Sequence, residues 1–167
     1  MAEETFTDAI ALLKADHRKV EQLFESYEGA GEGAKQGIAE QICTELKIHA
    51  TIEEEIFYPA LKGKIEDETL TEAYVEHDGA KVLINDIVAG GPDDEFYDSM
   101  VKVLSEEIEH HVKKEEMPSE GMFAQARAAG VDLVALRDQM AARKAELAEL
   151  AQASGLPPAE LTAVRVD

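Results

Sequence analysis

The chain has 167 residues, a formal net charge of −20, 45% hydrophobic residues and only 5% aromatic ones. So acidic a surface repels phosphate backbones and anionic lipid, which argues against binding nucleic acid or membrane by charge. Cys43 is the single cysteine, and Met1-Ala2-Glu3-Glu4 lacks the apolar stretch of a signal peptide. A cytoplasmic, reducing location is therefore expected.

Ala, Leu, Glu, Lys and Ile dominate and no alternating strand-like run stands out, so the expected class is all-α. A first helix is predicted from Thr5 or Thr7 to Tyr27, with Thr7-Asp8 at its N-cap. Its apolar stripe, Phe6, Ile10, Leu13, Val20 and Phe24, has His17 in the middle. The run Gly29-Ala30-Gly31-Glu32-Gly33 breaks it.

A second helix is predicted from Ala34 to Phe57, along Ile38, Ile42, Leu46, His49, Ile52 and Ile56. Pro59 lacks a backbone N–H, so an end or bend is expected near Tyr58. The third, from Asp67 or Glu68 to Val88, carries Leu70, Tyr74, His77, Ala80 or Lys81, Ile84 and Ile87, and stops at Gly90-Gly91-Pro92. The fourth opens with Asp93-Asp94-Glu95 at the positive end of its dipole. Its stripe is Phe96, Met100, Val103 or Leu104, Ile108, His111 and Glu115, closed by Pro118 and Gly121.

A short helix over Met122–Ala128 and a longer one over Asp132–Ala151 complete the pattern, the latter with Leu133, Leu136, Met140, Leu147 and Leu150 on its stripe. Short loops between long helices predict an antiparallel up-down-up-down bundle. Residues 1–118 would form it, and 119–167 a helical extension packed on its outside, ending in a loose tail after Ser154.

Each of the four long helices thus carries one inward histidine. At about 1.5 Å of rise per residue, His17, His49, His77 and His111 fall in one half of the bundle, within roughly 10 Å of each other. Glu53 and Glu115 follow His49 and His111 by four residues, hence on the same helix face. Burying so many titratable groups costs free energy unless they pair or bind a cation. Four imidazoles and two carboxylates suit Fe, Mn or Zn better than Ca or Mg. Six ligands exceed one tetrahedral zinc site, so a two-metal centre is the better count. A ferritin-like site would need two Glu-x-x-His pairs, and the chain offers one, Glu107 with His110.

Other residues are read as outside the ligand set. His110 and Glu21 are expected at the surface, and Glu54, Glu55 and Glu116 facing solvent. Glu45 and Glu107, one turn before His49 and His111, are either imidazole-orienting groups or plain surface acids. Lys81 is expected to bridge to a carboxylate or to point outward along its stem.

As a set, Asp16-His17, His49 through Glu53-Glu54 to Tyr58-Pro59, Glu76-His77, and His111-Val112 through Glu115-Glu116 to Pro118 resemble the hemerythrin-like HHE cation-binding domains. The resemblance covers about Thr5 to Pro118. It implies a four-helix bundle around two Fe ions with a bridging oxo or hydroxo group, Zn or Mn being substitutes. His17, His49, His77 and His111 would be terminal ligands, and Glu53 and Glu115 bridging carboxylates.

Oxygen-carrying members place two histidines four apart on the third helix. Here His77 has Ala73 before it and Lys81 after it. The fourth-helix acid is a Glu four residues after its His, where oxygen carriers have an Asp five on. Both departures argue against simple reversible oxygen carriage and leave a position for water, a substrate or Tyr74. The implied function is to engage oxygen, nitric oxide or peroxide for sensing, binding or detoxification. Iron storage, an iron-responsive role, or an enzyme consuming peroxide or nitric oxide are the alternatives.

Overall fold

The computed structural model describes residues 5–165, so the acidic start of the chain lies outside the described residues. In chain order the helices are α1 (Ala9–Glu28), α2 (Glu32–Ile52), α3 (Tyr58–Leu61), α4 (Asp67–Gly90), α5 (Tyr97–Glu116), α6 (Met122–Ala128) and α7 (Leu133–Ser154). A π-helical turn, Glu53–Phe57, joins α2 to α3, and no strand occurs among the described residues. The all-helical class read from composition is the one observed.

Asp8, rather than Thr7, caps α1, its carboxylate accepting the Ala11 N–H at 2.9 Å. Asp132 caps α7 in the same way through Ala135. Helix α4 stops where Gly91 takes φ +75°, a backbone conformation that a side chain disfavours. The acids 93–95 fall in the turn before α5 rather than in its first turn, and the Asp94 carboxylate accepts the Phe96 N–H. Phe96, expected on the buried stripe, is consequently 61% exposed.

Helix α1 packs on α2, α4 on α5, α2 on α4 and α1 on α5, a ring of contacts that closes the bundle. Helix α7 lies across α1 and α2, burying Leu133, Leu136, Met140 and Leu147. Leu150, the next residue of that stripe, stays exposed and lines a cavity instead. The tail beyond Ser154 is not loose: Ala159, Glu160 and Thr162–Val164 are hydrogen-bonded to α4.

Two apolar clusters fill the interior. One gathers residues such as Leu13, Ile52, Phe57, Phe123 and Met140 around the α6/α7 end. The other holds Val20, Ile42, Leu46, Ile84 and Leu104. Full burial of one such aliphatic side chain stabilises by about 1.5–3 kcal/mol. Along the chain each histidine falls at the boundary: His17 between Leu13 and Val20, His49 between Leu46 and Ile52, His77 between Ala73 and Ala80.

Candidate metal centre

Helix α2 does not end at Pro59; it changes pitch ahead of it. The Tyr58 N–H reaches back five residues to the Glu53 carbonyl, the widened turn of a π-helix. Pro59, lacking an N–H, then enters α3 at its start, where none is needed. In uninterrupted α geometry, Tyr58 would point about 140° away from Glu53 around the axis. The added residue brings it back inward, fully buried, with its hydroxyl among the histidines. A five-residue deviation thus puts a phenol on the face already defined by His49 and Glu53.

The predicted ligand residues converge. His17, His49 and Glu115 place one potential donor atom each within 4.8 Å of one another, and Glu53, His77 and His111 do the same. The two carboxylates connect these groups. Glu53 Oε1 lies 2.9 Å from His49 Nε2 and 3.3 Å from His77 Nε2. Glu115 Oε1 lies 3.3 Å from both His17 Nε2 and His111 Nε2. All six residues are buried.

Proximity here is not hydrogen bonding. His17 Nε2, His49 Nε2, both Glu53 oxygens and Glu115 Oε1 are buried with no hydrogen-bond partner. Leaving buried polar atoms unpaired costs about 1–3 kcal/mol each, more when charged. A cation in each group would satisfy them, and imidazole nitrogen with carboxylate oxygen is a donor set for Fe, Mn or Zn. The residues therefore fit the metal that the donor pattern calls for.

The outward nitrogens are all engaged. His17 Nδ1 meets Glu116 Oε2 at 2.7 Å, His49 Nδ1 meets Asp16 Oδ2 at 3.0 Å, His77 Nδ1 meets Glu54 Oε2 at 2.9 Å, and His111 Nδ1 meets Glu76 Oε1 at 3.0 Å. Each carboxylate accepts the Nδ1 proton and so leaves Nε2 facing inward as the donor atom. These four orienting acids were missed in the sequence reading. Glu54 and Glu116, expected to face solvent, are turned in, whereas Glu45 pairs with Lys19 and neither it nor Glu107 orients an imidazole. Adjacency was the available signal: Asp16-His17, Glu53-Glu54, Glu76-His77 and Glu115-Glu116 are neighbours in sequence, and partners across helices come from these pairs.

His110 is 70% exposed and Glu21 pairs with Arg18, as expected for surface groups. Lys81 takes the bridging alternative, 2.8 Å from Glu54. Tyr74 packs edge-on against the Tyr58 ring, and the hydroxyl in the histidine layer is that of Tyr58. Tyr58 Oη donates to Glu115 Oε2 at 3.1 Å and lies 3.1 Å from His77 Nε2 and 3.4 Å from His111 Nε2.

At three of the imidazoles the neighbouring carboxylates outweigh burial. Burial depresses His49, but Glu53 and Asp16 more than reverse it, so its pKa stands well above the usual imidazole value. His111 is pushed up to about 10, since Glu115, Glu76 and Glu53 outweigh its burial. His17 is likewise raised by Glu115 and Glu116 against burial. Burial favours the neutral Glu115 acid, but His111 and His17 hold it well below the carboxylate range. Burial, then Glu115 and Glu53, keep the Tyr58 phenol protonated.

Residues 8–126 match the model of the hemerythrin HHE cation binding domain. The chain belongs to this family. Its domains bind metal ions through His/Glu clusters of the kind assembled here. This HHE domain shares its fold with a hemerythrin HHE cation binding domain-containing protein from Mycobacterium kansasii. The TM-score is 0.71 at 19% identity, covering 90% of this chain and 96% of that one. A DNA nickase from Nostoc sp. strain PCC 7120 is 30% identical over 106 residues, 63% of this chain. This HHE domain spans only 30% of that relative's length.

Proposed function

We infer that the protein holds a pair of non-haem iron ions and engages oxygen, nitric oxide or peroxide there. The observation that carries this reading is the set of orphaned, inward-facing donor atoms on His17, His49, Glu53 and Glu115. His17 and His49 would hold one ion and His77 and His111 the other, with Glu53 and Glu115 shared by both. When bound, such ions supply a redox-active position for a small ligand, and Zn or Mn would fill the same donors. Asp16, Glu54, Glu76 and Glu116 fix the imidazoles.

Tyr58 reaches the histidine layer beside His77, whose helix α4 has Ala73 and Lys81 four residues either side where oxygen carriers have a second histidine. As a phenol it donates a hydrogen bond to Glu115 Oε2 and offers a further oxygen beside His77 and His111. Phe123 stacks on His17 with ring centroids 5.9 Å apart, and Phe57 packs edge-on against Phe123, walling that side from water. A nucleic-acid role, the subject of the Nostoc relative's name, is disfavoured by a net charge of −20.

Iron content and visible absorption test the reading. Protein loaded with ferrous iron without oxygen should bind a pair of ions per chain and change its absorption on adding oxygen, nitric oxide or peroxide. The double variant Glu53→Gln/Glu115→Gln should lose the pair while remaining helical. Iron-loaded wild type with no spectral response to any of the three would sink the proposal. Consumption of peroxide or nitric oxide beyond one equivalent per site would make the protein an enzyme; arrest at one equivalent would make it a binder or sensor.

A further inference from the structure

Between α2, α4 and the tail lies a partly open cavity of about 870 Å³. One end is formed by His17, His49, His77 and His111, and its walls include Leu46, Ala80, Ile84, Ile108 and Leu147. The outer wall is the tail, residues 156–160 with 162 and 163. A diatomic or peroxide needs no such space, since a water molecule takes only about 30 Å³ of liquid. Cavities of about 300–1,000 Å³ with apolar walls and a few convergent polar groups are those of small organic ligands.

The tail is fastened over this cavity by one face of α4. Asp78, fully buried, accepts the N–H groups of Thr162, Ala163 and Val164 at 2.9, 2.6 and 2.6 Å. Lys81 donates to the Glu160 carbonyl at 2.9 Å and to Thr162 Oγ1 at 3.2 Å. Asn85 exchanges two hydrogen bonds with the Ala159 backbone, each 2.9 Å. Spacings of three and four residues put these side chains in one row on α4. A buried carboxylate is tolerable only when so fully bonded, which makes Asp78 a dedicated anchor. The latch also touches the metal centre, because Glu54 accepts from Lys81, Thr162 and His77 Nδ1.

The chemistry of the walls specifies the occupant. The lysine and arginine residues of the lining are Lys47, Lys81 and Arg143. Lys47 donates to the Pro157 carbonyl, Lys81 is held by Glu54 and the tail, and Arg143 pairs with Glu55 and Glu146. With these side chains already partnered, the lysines and arginine of the wall offer an anionic ligand no free counter-charge, and the protein's −20 charge repels it at a distance.

We propose that residues 156–164 form a latched lid over a ligand cavity, and that this cavity admits a neutral, mainly apolar small molecule to the histidine layer. The proposal rests on the di-iron reading only for what the molecule meets at the inner end. The neutral apolar fluorophore Nile red tests it, titrated into full-length protein with and without metal, with circular dichroism as control for folding. The dye should bind wild type saturably. Asp78→Ala should take it up severalfold faster, and Ala50→Phe, which adds a ring to the cavity wall, should bind it severalfold more weakly. If Asp78→Ala loses helicity, Asn85→Ala releases the lid at its half-buried anchor and should give the same acceleration. Binding that these substitutions do not alter, or no binding by any of the proteins, overturns the proposal. Because uptake is read without metal, a protein that fails to load iron defeats the preceding reading and leaves this result standing.

Discussion

The two halves of the bundle obey different rules. Around Leu46, Ile84 and Leu104 the helices are regular, and burial of apolar stripes is enough to account for the packing. Around the histidine layer and beyond it, a π turn, two outer helices and a latched tail surround a set of buried charges. The first half stabilises a site that the second half builds. Burying six titratable residues is unfavourable without a cation, so the apolar clusters on either side of the histidine layer must supply the stability that holds them in place.

Leu104→Ala breaks the apolar half and should have the largest effect. The fully buried side chain leaves a cavity, costing about 2–5 kcal/mol. Thermal unfolding should show the loss, while metal stoichiometry at a temperature where the variant is folded should stay that of wild type. Loss of metal from the folded variant would mean the halves are not separable in this way.

Glu76→Ala breaks the other half. It removes the acceptor at His111 Nδ1 and one of the carboxylates around Lys114, so the imidazole can rotate. A competition titration against a chelator should show metal affinity lower by about 10–100-fold, with little change in the melting of the metal-free protein. An unchanged affinity would mean that packing alone orients His111.

The smallest effect sharpens the contrast. Cys43 lies in the apolar half, where burial pushes its thiol up to about 12. At pH 8 it is protonated and covered, so a thiol reagent should label it only as fast as the fold opens. Denaturant should raise the rate to that of a free cysteine. Fast labelling of folded protein would show that this half breathes more than its packing implies.

Much of this was legible in the sequence because helical periodicity is a local property. His17, His49, His77 and His111 could be placed at one level from rise per residue alone, and Glu53 and Glu115 followed from i, i+4 geometry. Tyr58 was not legible, because its direction depends on a π turn, and Pro59 signals an end or bend near Tyr58 without saying that the turn before it widens. The orienting acids were hidden for a related reason. Asp16 serves His49 and Glu54 serves His77, so each is adjacent in sequence to one ligand and bonded in space to another.

The tail marks the limit of pattern reading. Its Gly155, Pro157 and Pro158 carry no periodicity, and the backbone contacts that fasten it depend on Asp78, Lys81 and Asn85, more than seventy residues earlier. The sequence by itself determined the helices, the inward stripe of each, and the residues able to donate to a metal, since all of these repeat along a single helix. Only the tertiary structure decided which acid holds which imidazole, that a phenol joins them, and that the last residues close over the site. Those facts are set by distances between helices, which no local spacing encodes.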